Sequence, residues 1–495
     1  MTATESLPPR TPVLVGVGTI MQREDDPAQA LEPIDLMLGA VRAAGEDSGV
    51  PTLLTELGSI AVPRGRWRYR NPAGEIKRTI GATGATTIVA SVGVLQQALI
   101  ADACEAIAEG RVDSALVVGA DAGYRLLRAK IGGIRASERT QADDPDIMLE
   151  PKAELFHPAE AAAGLKMPVG FYAILESARR AAAGLSVDEH RDRLAAMSAK
   201  FAAIAAENPD AWDRRKPGAD EIRQPGPRNP MQAFPYSRAH CSTWNVDQAG
   251  ALLLCSAERA RALRIDRSLW IYAVASAEAN HMLPVCARAD LVRSPGAEAV
   301  AAAVLAAGRV TPGDIDLIDL YSCFPVAIDV FADAVGLDRD TALTLTGGMA
   351  FAGGPFNNYF LQATARAAQL MRAGAGRTAL LSCVSGILTK QALALWSTLP
   401  PRDRFVRRDV TTQVAKTTRS LPVFENYTGG GRVAGYTVIH AGGTMPKAIA
   451  LIDTEDGARA LAVSEAEATV VGMEREEWVG RRVQVVTGQL IASCD

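Results

Sequence analysis

Short apolar runs closed by glycine alternate with stretches of helical spacing along most of this chain. Residues 12–18, Pro12-Val13-Leu14-Val15-Gly16-Val17-Gly18, are long enough for a buried strand and too short for a helix. Apolar positions at Ile34, Leu36, Met37, Leu38 and Val41 then predict a helix over 34–45, and Gly49 stops it. Residues 86–92 predict a strand, 95–109 a helix ended by Gly110, and 112–121 a second buried strand with Gly119 near its exit. Strand, helix and strand in that order predict a parallel α/β arrangement. The same texture returns after residue 244. Residues 249–256 are mostly apolar, 269–276 predict a strand, 296–308 a helix and 316–321 a strand. A helix begins near Pro325, and 377–386 is a further strand. The form of 110–121, a glycine, a cation and an apolar strand with glycine at its exit, recurs over 376–386. Strand 12–18 likewise matches 269–276. Two similar α/β halves related by a pseudo-twofold are the simplest account.

Two stretches break this pattern. Residues 150–240 are rich in alanine, charge and proline, with helices expected over 168–183 and 187–206; they read as an inserted lobe. Beyond Pro400-Pro401-Arg402-Asp403-Arg404 come short β-like runs split by glycines, at 435–439, 448–452, 459–463 and 482–486. Their spacing predicts a small antiparallel barrel. The expected division is 1–149 with 207–265 as the first half, 150–206 as the lobe and 266–398 as the second half. A linker over 399–409 and a barrel over 410–495 follow.

Composition narrows the functional class. The chain has 495 residues, 48% hydrophobic, enough to build large cores. A net charge of −4 argues against a nucleic-acid protein, which carries a basic excess. No apolar run reaches the roughly 20 residues that span a bilayer, so no membrane is expected. The N-terminus lacks a basic region followed by an apolar one, so the chain reads as cytoplasmic. Seven cysteines lie without Cys-x-x-Cys spacing, which suits reduced thiols rather than a disulfide framework or a metal site.

The densest candidate chemistry is the loop from Thr346 to Asn358, Thr-Gly-Gly-Met-Ala-Phe-Ala-Gly-Gly-Pro-Phe-Asn-Asn, which runs into a helix. Glycines there allow sharp bends and close approach to a ligand, and a helix start offers unpaired N–H groups. The stretch reads either as a ligand cradle or as a tight turn in a core. Arg64-Gly65-Arg66-Trp67-Arg68-Tyr69-Arg70 reads either as a phosphate-holding turn or as a solvated loop. Trp212 with Arg214 and Arg215 reads either as a base-stacking, phosphate-binding group suited to coenzyme A or as a surface loop.

Four segments, in this order and spacing, together resemble the thiolase superfamily, most closely the sterol-carrier-type thiolases and their actinobacterial thiolase-like relatives. They are Asn245–Leu254, Asp314–Phe324, the 346–358 loop and Cys383-Val384-Ser385-Gly386. The resemblance covers residues 12 to about 395. It implies a five-layered α-β-α-β-α sandwich of two βα halves, an inserted lobe, and a coenzyme A or acyl-CoA thioester as ligand with no covalently bound cofactor. It also implies a nucleophilic cysteine, a second cysteine and a histidine that move protons, and an oxyanion hole.

Carried over position by position, most of that set is replaced. The nucleophile position falls at Gly93, and Ser91 is the nearest nucleophile type. The family's His-Asp-Cys-Phe (or Asn-Glu-Ala-Phe) is Tyr321-Ser322-Cys323-Phe324, and its Gly-His-Pro is Gly353-Gly354-Pro355. Cys383 matches the proton-transferring cysteine and equally a plain buried one. Tyr321 and Cys383 are the remaining catalytic candidates, with Gly348, Gly354, Asn357 and Asn358 as substrate-binding candidates. The functions compatible with this are an acyl-CoA-binding thiolase homologue without thiolase turnover, a retro-aldol lyase acting on a β-hydroxyacyl-CoA through Tyr321 and Tyr359, or a scaffold presenting the barrel to a partner enzyme. A monomer or a homodimer is expected; the family pairs through the strand ahead of the nucleophile.

Overall fold

The computed structural model describes residues 7–151, 156–440 and 445–491. Residues 1–6 of the expected first half, 152–155 of the lobe, and 441–444 and 492–495 of the barrel lie outside the described residues. The first half supplies β1 (Pro12–Gln22), β2 (Ser59–Pro63), β3 (Thr86–Ala90), β4 (Ser114–Ala122), β5 (Ile147–Leu149) and β6 (Asp247–Ser256). The second supplies β7 (Ile271–Asn280), β8 (Leu317–Asp319), β9 (Thr378–Ser385), β10 (Lys390–Ser397) and β11 (Val406–Asp409). The main helices are α1 (Pro33–Asp47), α2 (Gln96–Ala108), α3 (Pro168–Ala182), α4 (Val187–Glu207), α5 (Pro295–Gly308), α6 (Pro325–Val335) and α7 (Tyr359–Arg372).

The strands run in the order β8-β9-β10-β7-β1-β6-β4-β2-β3-β5. About the β7–β1 junction the order mirrors itself: β7 answers β1, β10 answers β6, β9 answers β4 and β8 answers β2. This is the internal repeat legible in the sequence. Helix α1 packs outside the first half, α5 outside the second, and α2 and α7 lie between, completing the five layers of the thiolase fold. The glycines of β1 are there for packing. A Cβ on Gly16 or Gly18 would stand 2.1 Å from the carbonyl oxygen of Ala44 or Ala40, so only glycine lets α1 lie this close.

The outer edge of β3 is taken by β5 of the same chain, paired in parallel from Ile88↔Ile147 to Ala90↔Leu149. The Asp146 carboxylate pins it by accepting from Thr87 N–H and Oγ, both at 2.8 Å. At the other end of the molecule, the expected linker contains β11, which pairs in parallel with β7 over Ala275–Glu278. Its Arg407 is bonded to Glu278 at 2.7 Å and ion-paired with Asp102, which ties the strand to α2.

Five strands then close a barrel: β12 (Gly429–Ile439), β13 (Lys447–Thr454), β14 (Arg459–Ser464), β15 (Arg482–Val486) and β16 (Gln489–Ile491). Pairing runs β12-β13-β14-β16-β15 and back to β12. Residues Met231–Ala233, expected within the first half, pair with β12 at Ile439↔Ala233. The barrel's other faces rest on the lobe. Arg180 of α3, 1% exposed, donates to Glu477 at 2.9 Å and to Tyr436 Oη at 2.7 Å.

Candidate functional site

The 346–358 loop forms one wall of a cavity of about 400 Å³. Its shape is set by a buried carboxylate at the end of β8. Asp319 Oδ2 accepts from Leu345 N–H (2.8 Å), Thr344 Oγ1 (3.1 Å) and both donors of Thr346 (3.3 Å each), while Oδ1 accepts from Tyr359 Oη at 2.9 Å. Burial pushes the Asp319 carboxyl up, against these donors. Residues 242–243 clamp the loop from the far side. Thr243 N–H donates to Met349 O and Gly354 N–H to Thr243 O, both at 2.9 Å, and Ser242 Oγ donates to Cys323 O at 3.1 Å.

Gly93, Tyr321, Gly354 and Asn357 all line the cavity, so four positions spread over 265 residues of sequence meet at one place. The other described lining is mainly apolar: Phe156, Met167, Phe324, Phe356 and Ile387 among others. No histidine, lysine, arginine or carboxylate lines it among the described residues. Two cysteines do, Cys241 and Cys323, and burial raises both thiols to about 12. Neither is a thiolate at neutral pH.

Tyr321 is buried, with its ring edge-on to Tyr359 at 5.5 Å. Burial, then the nearby Cys383 and Cys323 thiols, push its phenol well above the ordinary range, while the Gln96 side chain donates to its oxygen. It is a neutral O–H. Tyr359 does not share that position: its hydroxyl is spent on Asp319 and, at 2.7 Å, on Thr346 Oγ1. Cys383 is fully buried behind the lining residues Val384 and Ser385. Burial raises its thiol to about 12, although the backbone N–H groups of Gln97 and Gln96 point at the sulfur.

Asn357 carries the most informative polar atom. Phe360 N–H donates to Gln96 Oε1 at 2.7 Å, so the other Gln96 atom is the amide nitrogen; it donates to Asn357 Oδ1 at 3.3 Å. That chain fixes the Asn357 amide orientation and leaves its Nδ2 without a partner among the described residues.

The remaining candidates stand elsewhere. Asn358 is buried against Gly119 of the first half, and Gly348 lies against Phe201 and Ser322; neither lines the cavity. Trp212 is buried with Tyr124 edge-on at 5.1 Å and the Arg23 guanidinium over its ring at 4.9 Å, so its face is already covered. Arg214 donates to Ala206 O and Arg215 pairs with Asp213, away from the cavity. Two arginines of the basic turn are likewise paired, Arg66 with Asp121 and Arg70 with Asp144. Sequence reasoning passed over Tyr172 and Gln96. Tyr172 Oη donates to Gly386 O at 3.0 Å and touches the Cys323 thiol, and its ring stacks on Phe324 at 4.6 Å. The signal available for Gln96 was a pair of glutamines opening a mostly apolar helix.

No family model matches the chain. An acetyl-CoA acetyltransferase from Methanothermobacter thermautotrophicus is 29% identical over 136 residues, 28% of this chain. The match spans only 33% of that relative's length. Among solved structures, the monomeric SCP2-thiolase-like protein type 1 from Mycobacterium smegmatis is 27% identical, with a TM-score of 0.82 over 98% of this chain and 100% of the other. The Ltp2–ChsH2(DUF35) aldolase shares the fold at 17% identity, with a TM-score of 0.60 over 79% of this chain and 99% of the matched one. The chain therefore has the thiolase fold and is similar in sequence to members of the thiolase superfamily.

Proposed function

We propose that the cavity holds the thioester end of an acyl-CoA, and that the protein does not transfer acyl groups through a cysteine as thiolases do. The observation that carries the binding half is the oriented, unpaired Asn357 Nδ2 in a mainly apolar wall. A lone amide donor there suits a thioester carbonyl or its enolate oxygen. The second half rests on the lining itself. Glycines stand at both positions where the family pattern expects a nucleophile and a base, and the cysteines present are held as thiols. The acetyltransferase relative supports the ligand class. Calorimetry of the full chain with acetyl-CoA and longer acyl-CoAs tests this. Binding is expected in the wild type and about 3–10-fold weaker binding in Asn357→Ala, the net worth of one hydrogen bond. No heat at millimolar ligand sinks the reading; unchanged affinity in the variant removes Asn357 from it.

A second reading, retro-aldol cleavage of a β-hydroxyacyl-CoA, is favoured by one feature. Tyr321 places a neutral phenol in the cavity, able to donate to the oxygen of the departing carbonyl compound. An aldolase of the same fold fits that chemistry. The reaction breaks the Cα–Cβ bond: the β-hydroxyl loses its proton and becomes a carbonyl, and the thioester enolate takes a proton at Cα. Product analysis with a β-hydroxyacyl-CoA decides it, and equal turnover by Tyr321→Phe excludes Tyr321.

A further inference from the structure

A second cavity, of about 380 Å³, lies between the C-terminal half and the 414–419 segment that leads into the barrel. It adjoins the first: Leu388 lines this cavity and Ile387 lines the other. Its character is opposite. His281, Arg288, Arg293 and Arg419 line it, with Ser294, Thr418 and Gln391 as neutral polar groups.

The charges on this lining do not cancel. Arg293 is paired with Glu298 at 2.6 Å. The Asp290 carboxylate is turned back onto the N–H groups of Val292 (2.8 Å) and Arg293 (3.0 Å). Arg288 is different. Nε donates to Leu283 O at 3.1 Å and one Nη to Ile387 O, while the other Nη has no partner and no carboxylate is ion-paired with the guanidinium among the described residues. The acid whose charge it feels, Glu160, already accepts from His157 N–H and Cys286 N–H at 2.9 Å each. Arg419 also makes no ion pair among the described residues, and its backbone is held beside Arg288 by the Ala289 N–H to Arg419 O bond at 3.3 Å. A sheltered guanidinium without a counter-ion is costly, and a planar fork of free N–H donors matches an oxyanion. Cavities at the junction of two structural units are also where small ligands collect.

We propose that this second cavity binds a small oxyanionic metabolite, bearing phosphate or carboxylate groups, between Arg288 of the C-terminal half and Arg419 of the segment leading to the barrel. It is separate from the acyl-CoA cavity and does not depend on that assignment. Arg288 also reaches the carbonyl of Ile387, so an occupant here would touch the wall of the first cavity through one residue.

The test is calorimetry of the full chain at low salt with pyrophosphate and with citrate, each repeated with saturating acetyl-CoA. At least one anion is expected to bind, and which one identifies the phosphate or carboxylate class. Arg419→Glu, at an exposed position that leaves the core intact, is expected to weaken it by about tenfold or more through charge reversal. Acetyl-CoA binding should be the same in both proteins. Arg288→Lys, which keeps the charge but not the fork, should weaken the anion as well. Absence of binding by both anions, displacement of the anion by acetyl-CoA, or unchanged affinity in Arg419→Glu overturns the proposal.

Discussion

Gly93 shows how far a single residue constrains the chemistry. Its φ of +102° lies where side chains are rarely tolerated, and an added Cβ would sit 3.3 Å from Pro151 Cβ. A cysteine at this position would therefore need a different backbone, not only a different side chain. Gly93→Ala is expected to lower stability by about 1–3 kcal/mol, the cost of forcing an L-residue into this region. Urea unfolding measures it, and a loss below about 0.5 kcal/mol, the surface-substitution range, would show that the turn relaxes freely. The same scale explains what the sequence made visible at the site. Gly93 and Tyr321 lie in the loops that follow β3 and β8, and Gly354 and Asn357 in the loop before α7, so the fold brings all four to one cavity. Motif order does not separate Asn357 from Asn358, or Tyr321 from Tyr359. Those pairs differ in where the side chain goes, which depends on Gly119 and Asp319 far away in the chain.

At the level of elements, the wall behind Phe324 is held by a buried charge network between the lobe and α6. Tyr236 stacks on Phe324 at 5.7 Å and donates to Glu176. Glu176 also meets His190 at 2.8 Å and Arg193 at 3.5 Å, and Arg193 continues to Asp329 at 2.7 Å. Burial alone would raise the Glu176 carboxyl; His190 and the further donors overcome it and hold it below the usual range. Its stabilising share is therefore present above pH 4.5 and lost as pH falls toward the folded value. His240 adds to this from higher pH. Burial lowers it from 6.5 to about 4, so the folded state favours the neutral ring, and stability declines as pH drops below 6.5. Stability should thus fall in two stages, first below pH 6.5 as His240 charges and again below pH 4.5 as Glu176 protonates. Glu176→Gln should flatten the second stage and leave the first. Thermal unfolding across pH checks this, and an unchanged acid limb in Glu176→Gln removes the network from the account. None of this was legible from sequence spacing. His190 and His240 stand more than 100 residues before the loop along the chain.

For the whole molecule, the decisive question is whether the barrel is a tethered module or part of one body. Glycine-split β runs after a proline-rich stretch read as a separate domain behind a linker, and that pattern locates the barrel's strands well. It says nothing of what the strands pack against, because on β13 and β14 both sides are apolar, Ile449, Leu451 and Leu461 on one and Ala448, Ala450 and Ile452 on the other. Ile449, Leu451 and Leu461 belong to the same buried cluster as α3 and the C-terminal half, and Gly435 lies 3.0 Å (as a virtual Cβ) from Ile174 of α3. Burying three such side chains is worth about 1.5–3 kcal/mol each, before Arg180 and its bonds to Glu477 and Tyr436 are counted. A chain ended before Val423 is accordingly expected to lose on the order of 5 kcal/mol or more, unfold at lower temperature and bind a hydrophobic dye through the uncovered face of α3. The intact protein should unfold in one transition: the fluorescence difference between wild type and Trp478→Phe, which isolates the barrel's tryptophan among the six, should change together with the total helix signal. A truncated chain that keeps its melting temperature, or an intact one whose Trp478 signal melts apart from the helices, would instead make the barrel an independent unit and restore the case for a scaffold that offers it to a partner.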